Sequence, residues 1–178
     1  MEVSELRLSG LKVISPRVFH DDRGFFKETF HELRYAAFGI ATRFVQDNHS
    51  FSQKNVIRGM HYQETPGQDK LVWVTQGKIL DVVVDLRKDS PTFGQWEGVY
   101  LDDAAQQQLF IPNGFAHGFC VVSEGGAHVH YKVSTPYDGK TEKTFRFDDP
   151  TIQIQWPVEH PILSLRDLEA PLFLEAIK

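Results

Sequence analysis

The sequence has little of what marks a secreted, membrane-spanning or nucleic-acid-binding protein. Cys120 is the only cysteine, so no disulfide can form within the chain, as is typical of proteins of a reducing cytoplasm. No apolar run approaches the ~20 residues that a transmembrane helix needs. The start, MEVSELRLSG, has two acidic residues and no apolar segment of the kind found in signal peptides. These absences predict a cytoplasmic protein that does not enter a membrane.

Positive charge is also scarce. The chain has 19 Lys and Arg against 24 Asp and Glu, a net charge of −5, so no basic field would attract nucleic acid. An anionic ligand would have to meet a local cluster of basic side chains. No internal repeat, low-complexity segment or linker interrupts the sequence. We predict a single domain over residues 1–178.

Apolar and polar residues alternate with the period of two that β-strands show. In KILDVVVDLR, residues 78–87, Ile79 and Asp81 would face one side while Leu80 and Val82 face the other, which predicts a half-buried strand. LVWVTQ just before it, with Gly77 between, predicts a hairpin. Further short strands are predicted in GVYLDD, QQLFIP, GFCVVS, HVHYKVS and TFRFDD. The pattern indicates an all-β sandwich, barrel or jelly roll.

Helical signals are few. HELRYAAFG, residues 31–39, predicts about two helical turns closed by Gly39. SLRD, residues 164–167, has the pattern of a capping box, with Ser164 as N-cap and Asp167 at the third helical position.

Several histidines raise the question of a metal site. PNGFAHGF, residues 112–119, places His117 at the spacing of the second half of a cupin metal site. The first half would need His-x-His, but Gln63 follows His61 and leaves too few imidazole donors for a transition metal. His128 and His130 share one strand face without an obvious third ligand. We therefore expect no metal ion, and a metal-dependent cupin oxygenase or isomerase stays an alternative.

His61, within RGMHYQE, is a candidate general base because a neutral imidazole readily accepts a proton near pH 7. Lys70 begins the strand KLVWV on the same face as Val72, so its ammonium would point into an apolar interior where it needs an anion. Taken alone, each residue also fits a structural role. His61 would then be a hydrogen-bonded core residue, and Lys70 an exposed lysine at a strand start.

Eight segments, in order, resemble the dTDP-4-dehydrorhamnose 3,5-epimerase family of sugar-nucleotide epimerases. The resemblance covers roughly residues 5–172, and the segments read DDRGFFKETF, VQDNHSFS, VIRGMHYQ, KLVWVTQGKILDVVVDLRKDSPTFGQW, LFIPNGFAHGF, YKVSTPY, DDPTIQIQWP and ILSLRD. Each segment alone is weak evidence, but their shared order is specific. The resemblance implies a jelly-roll (cupin, double-stranded β-helix) barrel with a few short helices, usually a homodimer, that uses no metal or other cofactor.

The resemblance also implies a reaction: epimerisation of a nucleoside-diphosphate 4-keto-6-deoxyhexose, usually the dTDP sugar, at both carbons beside the ketone. Such a step belongs to deoxysugar biosynthesis of the dTDP-L-rhamnose type, which serves O-antigen and lipopolysaccharide. It needs a base on one face of the sugar, an acid on the other and a cation near the ketone. His61 matches the base and Asp167 the carboxylate that orients it. Lys70 matches the cation, and Tyr131 matches the acid.

The remaining matches concern binding of the substrate. Arg23, Arg58 and His117 would meet the diphosphate or the sugar. The other implied binding residues, which would contact sugar or nucleobase, are Gln46, Asp47, Asn48, Glu28, Tyr137 (stacked on the base), Glu142 and Arg166.

The chain departs from the family pattern in two places. The segment from His61 to Lys70 is one residue shorter, which bears on the position of Lys70. After Glu142, Thr144, Phe145 and Phe147 stand where small, aliphatic and Trp residues are expected, and this bears on the nucleobase contacts. Two further alternatives stay open: epimerisation at a single carbon, and sugar-nucleotide binding without catalysis. The residues do not settle the number of carbons, the nucleobase or the final deoxysugar.

Overall fold

The protein is a jelly roll of thirteen β-strands and three short helices, described over all residues 1–178 by a computed structural model. The strands are β1 Glu2–Glu5, β2 Lys12–Ser15, β3 Val18–Asp21, β4 Gly24–Lys27, β5 Gln46–Ser52, β6 Ile57–Gln63, β7 Lys70–Gln76, β8 Lys78–Asp85, β9 Trp96–Asp102, β10 Gln108–Ile111, β11 Phe115–Val121, β12 Ala127–Val133 and β13 Glu142–Thr144. The helices are α1 Glu32–Ala36, α2 Leu165–Leu168 and α3 Phe173–Ala176. None of them has the length and hydropathy that crossing a bilayer takes.

Two antiparallel sheets form the barrel. The six-stranded sheet has the order β1-β2-β10-β7-β12-β5, and the five-stranded sheet has the order β13-β6-β11-β8-β9. Strands that are neighbours in a sheet are mostly distant in the chain, as jelly-roll connections require. β3 and β4 form a separate hairpin. The all-β jelly roll predicted from the sequence is therefore confirmed.

The hairpin predicted around Gly77 is wrong. β7 pairs with β10 and β12, whereas β8 pairs with β9 and β11 in the other sheet. Gly77 has a φ of 87°, and a Cβ there would collide with the carbonyl oxygen of Gly126. Only glycine suits such a corner. The turn carries the chain from one sheet to the other instead of folding it back on itself.

β8 is buried on both faces, which corrects the expectation of a half-buried strand. Every residue from Ile79 to Asp85 is buried. One face joins the apolar cluster between the two sheets, and the other packs in a second cluster that includes Phe145 and Phe173. Because the covering residues come from the far end of the chain, local alternation could not reveal them.

The strand predicted in TFRFDD is also largely wrong. β13 ends at Thr144, and Phe145 is fully buried with its ring 5.2 Å from that of Phe173. The Asp149 carboxylate then accepts hydrogen bonds from the backbone N–H groups of Ile152 and Phe173, which fixes a turn rather than a strand. Phe145, which departs from the family pattern, therefore packs in the core.

Replacement of Phe145 by alanine tests this second cluster. We expect Phe145→Ala to lower the free energy of unfolding by about 3–5 kcal/mol, because it leaves a cavity among fixed neighbours. Urea denaturation measures the loss. Leu33→Ala is the control, since the side chain is 75% exposed on α1 and its removal should cost under about 0.5 kcal/mol. A loss at Phe145 no larger than that of the control would contradict the packing described.

Candidate active site

A cavity of about 340 Å³ opens inside the barrel, and most of its lining is polar. Both sheets contribute to its walls, through β5, β7 and β12 on one side and β6 and β11 on the other. The lining residues that the sequence predicted are Gln46, Asn48, Arg58, His61, Lys70, His117, Tyr131, Tyr137, Glu142 and Arg166.

Strand alternation places several of these side chains on the inner surface. Gln46 and Asn48 are two residues apart on β5, and Asn48 lies across from Tyr131 of β12. On the opposite sheet His61 of β6 is paired directly with His117 of β11. Because residues two apart in a strand share a face, the two sheets present polar positions to the same space.

His61 is held by a buried carboxylate. Its Nε2 lies 2.6 Å from Oδ1 of Asp167, which is only 3% exposed. Ser164 caps α2 as predicted, with its Oγ 3.1 Å from the backbone nitrogen of Asp167. The capping box is only half formed, because the Asp167 carboxylate bonds to the imidazole and does not accept from the backbone N–H of Ser164. The helix start therefore serves to aim a carboxylate at His61.

The hydrogen bonds to Asp167 keep it ionised. Burial would raise the pKa of Asp167, but hydrogen bonds from His61, Ser164 and the backbone N–H of Gly59 outweigh it and leave the pKa below its usual value. An ionised carboxylate accepts, so Nε2 of His61 carries the hydrogen. Nδ1 is the nitrogen left to take up a proton.

Lys70 lines the same cavity even though the segment that leads to it is short. Its side chain is buried, and no carboxylate lies within ion-pair distance of its ammonium. Burial lowers the pKa of Lys70, and the negative charges of Glu142 and Asp81 oppose that shift. A buried cation without a direct partner is costly, so the position favours an anion or a carbonyl oxygen that gains negative charge.

Tyr131 is a partly buried phenol on the cavity wall. Burial raises the pKa of Tyr131, the Glu142 charge raises it further, and the Arg58 charge opposes both. The hydroxyl therefore stays protonated at neutral pH and can donate its proton to a stronger base, such as a carbanion or enolate.

Side chains at the cavity mouth are linked to one another. The Gln46 amide donates to Asn48 Oδ1 at 2.8 Å and accepts from the backbone N–H of Tyr137 at 3.1 Å. Arg166 forms an ion pair with Glu142. The Tyr137 residue is 58% exposed, so its ring is available to stack on a planar ligand.

The structure does not bring Arg23 or Glu28 to the cavity of their own chain. Arg23 sits at the tip of the β3–β4 hairpin with its side chain 90% exposed, in an ion pair with Asp21 at 2.6 Å. Glu28 follows the hairpin and lies 3.3 Å from Arg34 of α1.

Asp47 also lies away from the cavity. It alternates with Gln46 and Asn48 on β5, so its side chain points to the outer face of the sheet. There it forms an ion pair with Lys132 at 2.8 Å. The expectation that this side chain lines the site is not met.

Several residues at or behind the cavity had no role predicted from the sequence. Ser50 and Gln68 line it, and Ser50 continues the inward alternation of Gln46 and Asn48. Asp81, fully buried, lies 2.9 Å from Nε2 of His117. The signal for Asp81 was available, since a carboxylate in the middle of an apolar strand needs a partner.

Histidines elsewhere do not converge as metal ligands. His49 lies 2.8 Å from His128 and stacks on His130 on the outer face of the six-stranded sheet. No group of three His, Cys, Asp or Glu side chains is close enough to hold a metal ion. Gln63, which takes the place of a second histidine after His61, does not line the cavity and accepts a hydrogen bond from the lining residue Gln68 at 3.2 Å.

Comparison with known proteins agrees with this geometry. The family model for dTDP-4-dehydrorhamnose 3,5-epimerase matches residues 5–175. A dTDP-4-dehydrorhamnose 3,5-epimerase of Shigella flexneri is 45% identical over 99% of this chain and 98% of its own length. A dTDP-4-dehydrorhamnose 3-epimerase of Streptomyces niveus is 41% identical over 99% of this chain and 86% of its own length.

Solved structures show the same fold. The crystal structure of dTDP-6-deoxy-D-glucose-3,5-epimerase from Legionella pneumophila, in complex with dTDP-4-keto-L-rhamnose, has a TM-score of 0.92 and 45% identity. The match covers 96% of this chain and 92% of the Legionella chain. The chain therefore belongs to the dTDP-4-dehydrorhamnose 3,5-epimerase family and is an isomerase with the cupin jelly-roll fold.

Proposed function

We propose that the protein epimerises a dTDP-linked 4-keto-6-deoxyhexose at the two carbons beside the ketone, in dTDP-rhamnose biosynthesis. One observation carries the proposal: His61, held by Asp167, lines the same cavity as Tyr131 and Lys70. Base, acid and cation all come from the chain, so the reaction as we write it requires no cofactor.

The first step removes a proton from a carbon beside the ketone. Nδ1 of His61 takes the proton, and the electron pair of the broken C–H bond moves into the carbonyl to form an enolate. The Lys70 ammonium stabilises the negative charge on the enolate oxygen. Asp167 keeps the imidazole in the tautomer that the step needs and stabilises the imidazolium that results. A positioned base of this kind contributes roughly 10²–10⁴-fold.

The second step returns a proton to the same carbon from the opposite face. The Tyr131 hydroxyl gives its proton to the carbon, the enolate electrons form the new C–H bond, and the phenolate regains a proton from water. The configuration of that carbon is then inverted. Repetition at the other carbon, after His61 loses its proton to solvent, completes the double epimerisation.

Binding of the nucleotide falls to the residues at the mouth. Arg58, whose Nε donates to Ser52 at 2.8 Å, supplies positive charge for the diphosphate. The exposed Tyr137 ring stacks on the nucleobase. Gln46, Asn48, Glu142 and Arg166 offer hydrogen bonds to the sugar and the base.

We propose further that the protein is a homodimer in which the second copy supplies Arg23 and Glu28. The β3–β4 hairpin that carries Arg23 exposes Phe25 by 56% and Phe26 by 71%. A two-stranded hairpin with exposed aromatic rings is marginally stable alone and is the kind of surface that another chain covers. A cytoplasmic location stays a prediction.

A second candidate function is epimerisation at a single carbon. The Streptomyces niveus 3-epimerase is nearly as similar to this chain as the Shigella flexneri 3,5-epimerase, at 41% against 45% identity. The number of inverted carbons depends on how the ring turns between His61 and Tyr131.

Deuterium uptake distinguishes these candidates. Given dTDP-4-keto-6-deoxyglucose in deuterated water, the protein should introduce two deuterons into the ring, since each inversion draws its new hydrogen from the solvent. Proton NMR and mass spectrometry count them. One deuteron would indicate the single epimerase. None would contradict the proposed function and favour a non-catalytic binder.

Replacement of the base completes this experiment. His61→Ala should abolish exchange while dTDP affinity, measured by calorimetry, persists. His49→Ala is the matched control, because this imidazole lies on the outer face of the sheet, and it should exchange at the normal rate. Normal exchange by His61→Ala would make the assignment of the base wrong.

Lys70 should be needed for turnover although it costs stability. Lys70→Met replaces an unpaired buried ammonium with an apolar chain of similar length. We expect kcat to fall by about 10²-fold or more, and the free energy of unfolding of the ligand-free protein to rise by on the order of 1 kcal/mol. Steady-state kinetics and urea denaturation measure the two effects.

The pH dependence of stability tests independently whether the buried Lys70 ammonium destabilises the folded protein. Because burial lowers the pKa of Lys70, the unfolded chain binds this proton more tightly than the folded chain. Wild-type stability should therefore rise with pH between the folded pKa and the ordinary value of 10.5, and Lys70→Met should lack that rise. Destabilisation by Lys70→Met, or unchanged turnover, would refute the role given to this lysine.

Mixing of variants tests the shared site. Sedimentation should give twice the chain mass of 20.4 kDa. Arg23→Ala and His61→Ala should each be impaired alone. When they are co-expressed, half of the dimers are mixed and each has one intact site, so activity should return to about one quarter of wild type. A single-chain mass, or no recovery in the mixture, would exclude the shared site.

A further inference from the structure

Asp81 is a buried carboxylate behind the cavity that the steps above do not use. It lies on β8 with no exposed surface, and its Oδ2 is 2.9 Å from Nε2 of His117. Its Oδ1 has no hydrogen-bond partner. Asp85 on the same strand differs, because Arg87 and Ser90 both donate to it. A buried acid with a free oxygen costs stability.

The contact with Asp81 decides which nitrogen of His117 bears hydrogen. A carboxylate accepts hydrogen bonds, so Nε2 is the N–H nitrogen. Burial lowers the pKa of His117, and the positive charge of Lys70 lowers it further, against the opposing effect of Asp81. His117 is thus neutral near pH 7, with hydrogen on Nε2 and a lone pair on Nδ1.

Nδ1 of His117 is open to the cavity. His117 is one of the lining residues, and it lies directly across from His61. No protein group forms a hydrogen bond with its Nδ1, and this atom is not fully buried. Lys70 is the nearby donor, but no hydrogen bond joins its ammonium to His117 in the structure. A hydrogen-bond acceptor therefore faces the bound ligand beside the base.

We propose that Asp81 is a positioning residue that holds His117 as an acceptor for a hydroxyl group of the bound sugar. This inference rests on the proposed function and adds a specificity contact to it. Diphosphate oxygens only accept hydrogen bonds, so a neutral acceptor does not bind them, whereas a sugar hydroxyl can donate. Of the two ligand parts expected for His117, the geometry favours the sugar over the diphosphate.

Replacement of Asp81 by asparagine removes the carboxylate that keeps the His117 hydrogen on Nε2. The Asn amide can present its NH₂ to Nε2, which moves the His117 hydrogen to Nδ1 and turns the acceptor into a donor. We expect Asp81→Asn to weaken binding of dTDP-L-rhamnose about 10-fold. Binding of dTDP, which has no sugar hydroxyl at this place, should stay within about 2-fold. Calorimetry measures both, and Asp148→Asn on the surface is the matched control.

Nitrogen NMR observes the tautomer directly. In protein labelled with ¹⁵N-histidine, long-range ¹H–¹⁵N spectra should show wild-type His117 with hydrogen on Nε2, and Asp81→Asn with hydrogen on Nδ1. The wild-type spectrum needs no variant, so it decides the question even if Asp81→Asn does not fold.

Two results would overturn the inference. One is a wild-type His117 that carries its hydrogen on Nδ1. The other is a parallel loss of dTDP and dTDP-L-rhamnose affinity in Asp81→Asn, which would assign His117 to the diphosphate. Both measurements are made without turnover, so they are independent of the deuterium experiment that tests the reaction.

Discussion

The hydrogen bond between His61 and Asp167 joins the barrel to the C-terminal segment. The two residues are 106 positions apart, yet the chain leaves little freedom in how they meet. The backbone of Ile162 pairs beside the start of β6, donating to Asn55 and accepting from Ile57. From there Ser164 starts α2, and the first helical turn brings the carboxylate to the imidazole. A short helix with its N-cap thus sets the geometry of the candidate base.

The barrel has an apolar half and a polar half, and the polar half is costly. Between the sheets, residues such as Val83 and Phe119 form a cluster of ordinary packing. Lys70 and His117 line the cavity and Asp81 lies behind it; all three are buried, and Oδ1 of Asp81 has no hydrogen-bond partner. Such groups lower stability unless a ligand meets them, as expected where a binding site is prepared in advance. The second apolar cluster, under Phe145 and Phe173, supports the back of β8 and so the position of Asp81.

Much of the fold followed from local pattern, and the failures have a common cause. Alternation predicted the strands from β9 to β12, and the caps at Gly39 and Ser164 were predicted from single residues. The hairpin at Gly77, the half-buried β8 and the strand after Thr144 were wrong. In each case the outcome depends on a partner distant in the chain: a strand of the other sheet, or the aromatic side chains of the C-terminal segment. Local sequence carries no information on such partners.

The candidate site likewise has residues that the sequence predicted and others whose position only the structure shows. The family resemblance predicted residues of the inner strand faces, and alternation explains why those of β5 converge on one cavity, whereas Arg58 and His61 of β6 both reach it across an irregularity in the β6–β11 pairing. The resemblance also implied Asp47, but a strand sends adjacent side chains to opposite faces, and Asp47 pairs with Lys132 on the outer face. Arg23 lies at the tip of the β3–β4 hairpin and Glu28 directly after it, away from the cavity of their own chain, which the sequence alone could not show. Asp81 was visible as an acid in an apolar strand, but its partner His117 became apparent only in three dimensions.

The central claim is that His61 and Tyr131 act on the same sugar ring from opposite faces. A crystal structure of the protein with dTDP-4-keto-L-rhamnose bound tests this directly. We predict that Nδ1 of His61 and the Tyr131 hydroxyl lie on opposite sides of the ring, each within about 3.5 Å of a carbon beside the ketone. A ring with both groups on one face, or a sugar bound outside this cavity, would contradict the account.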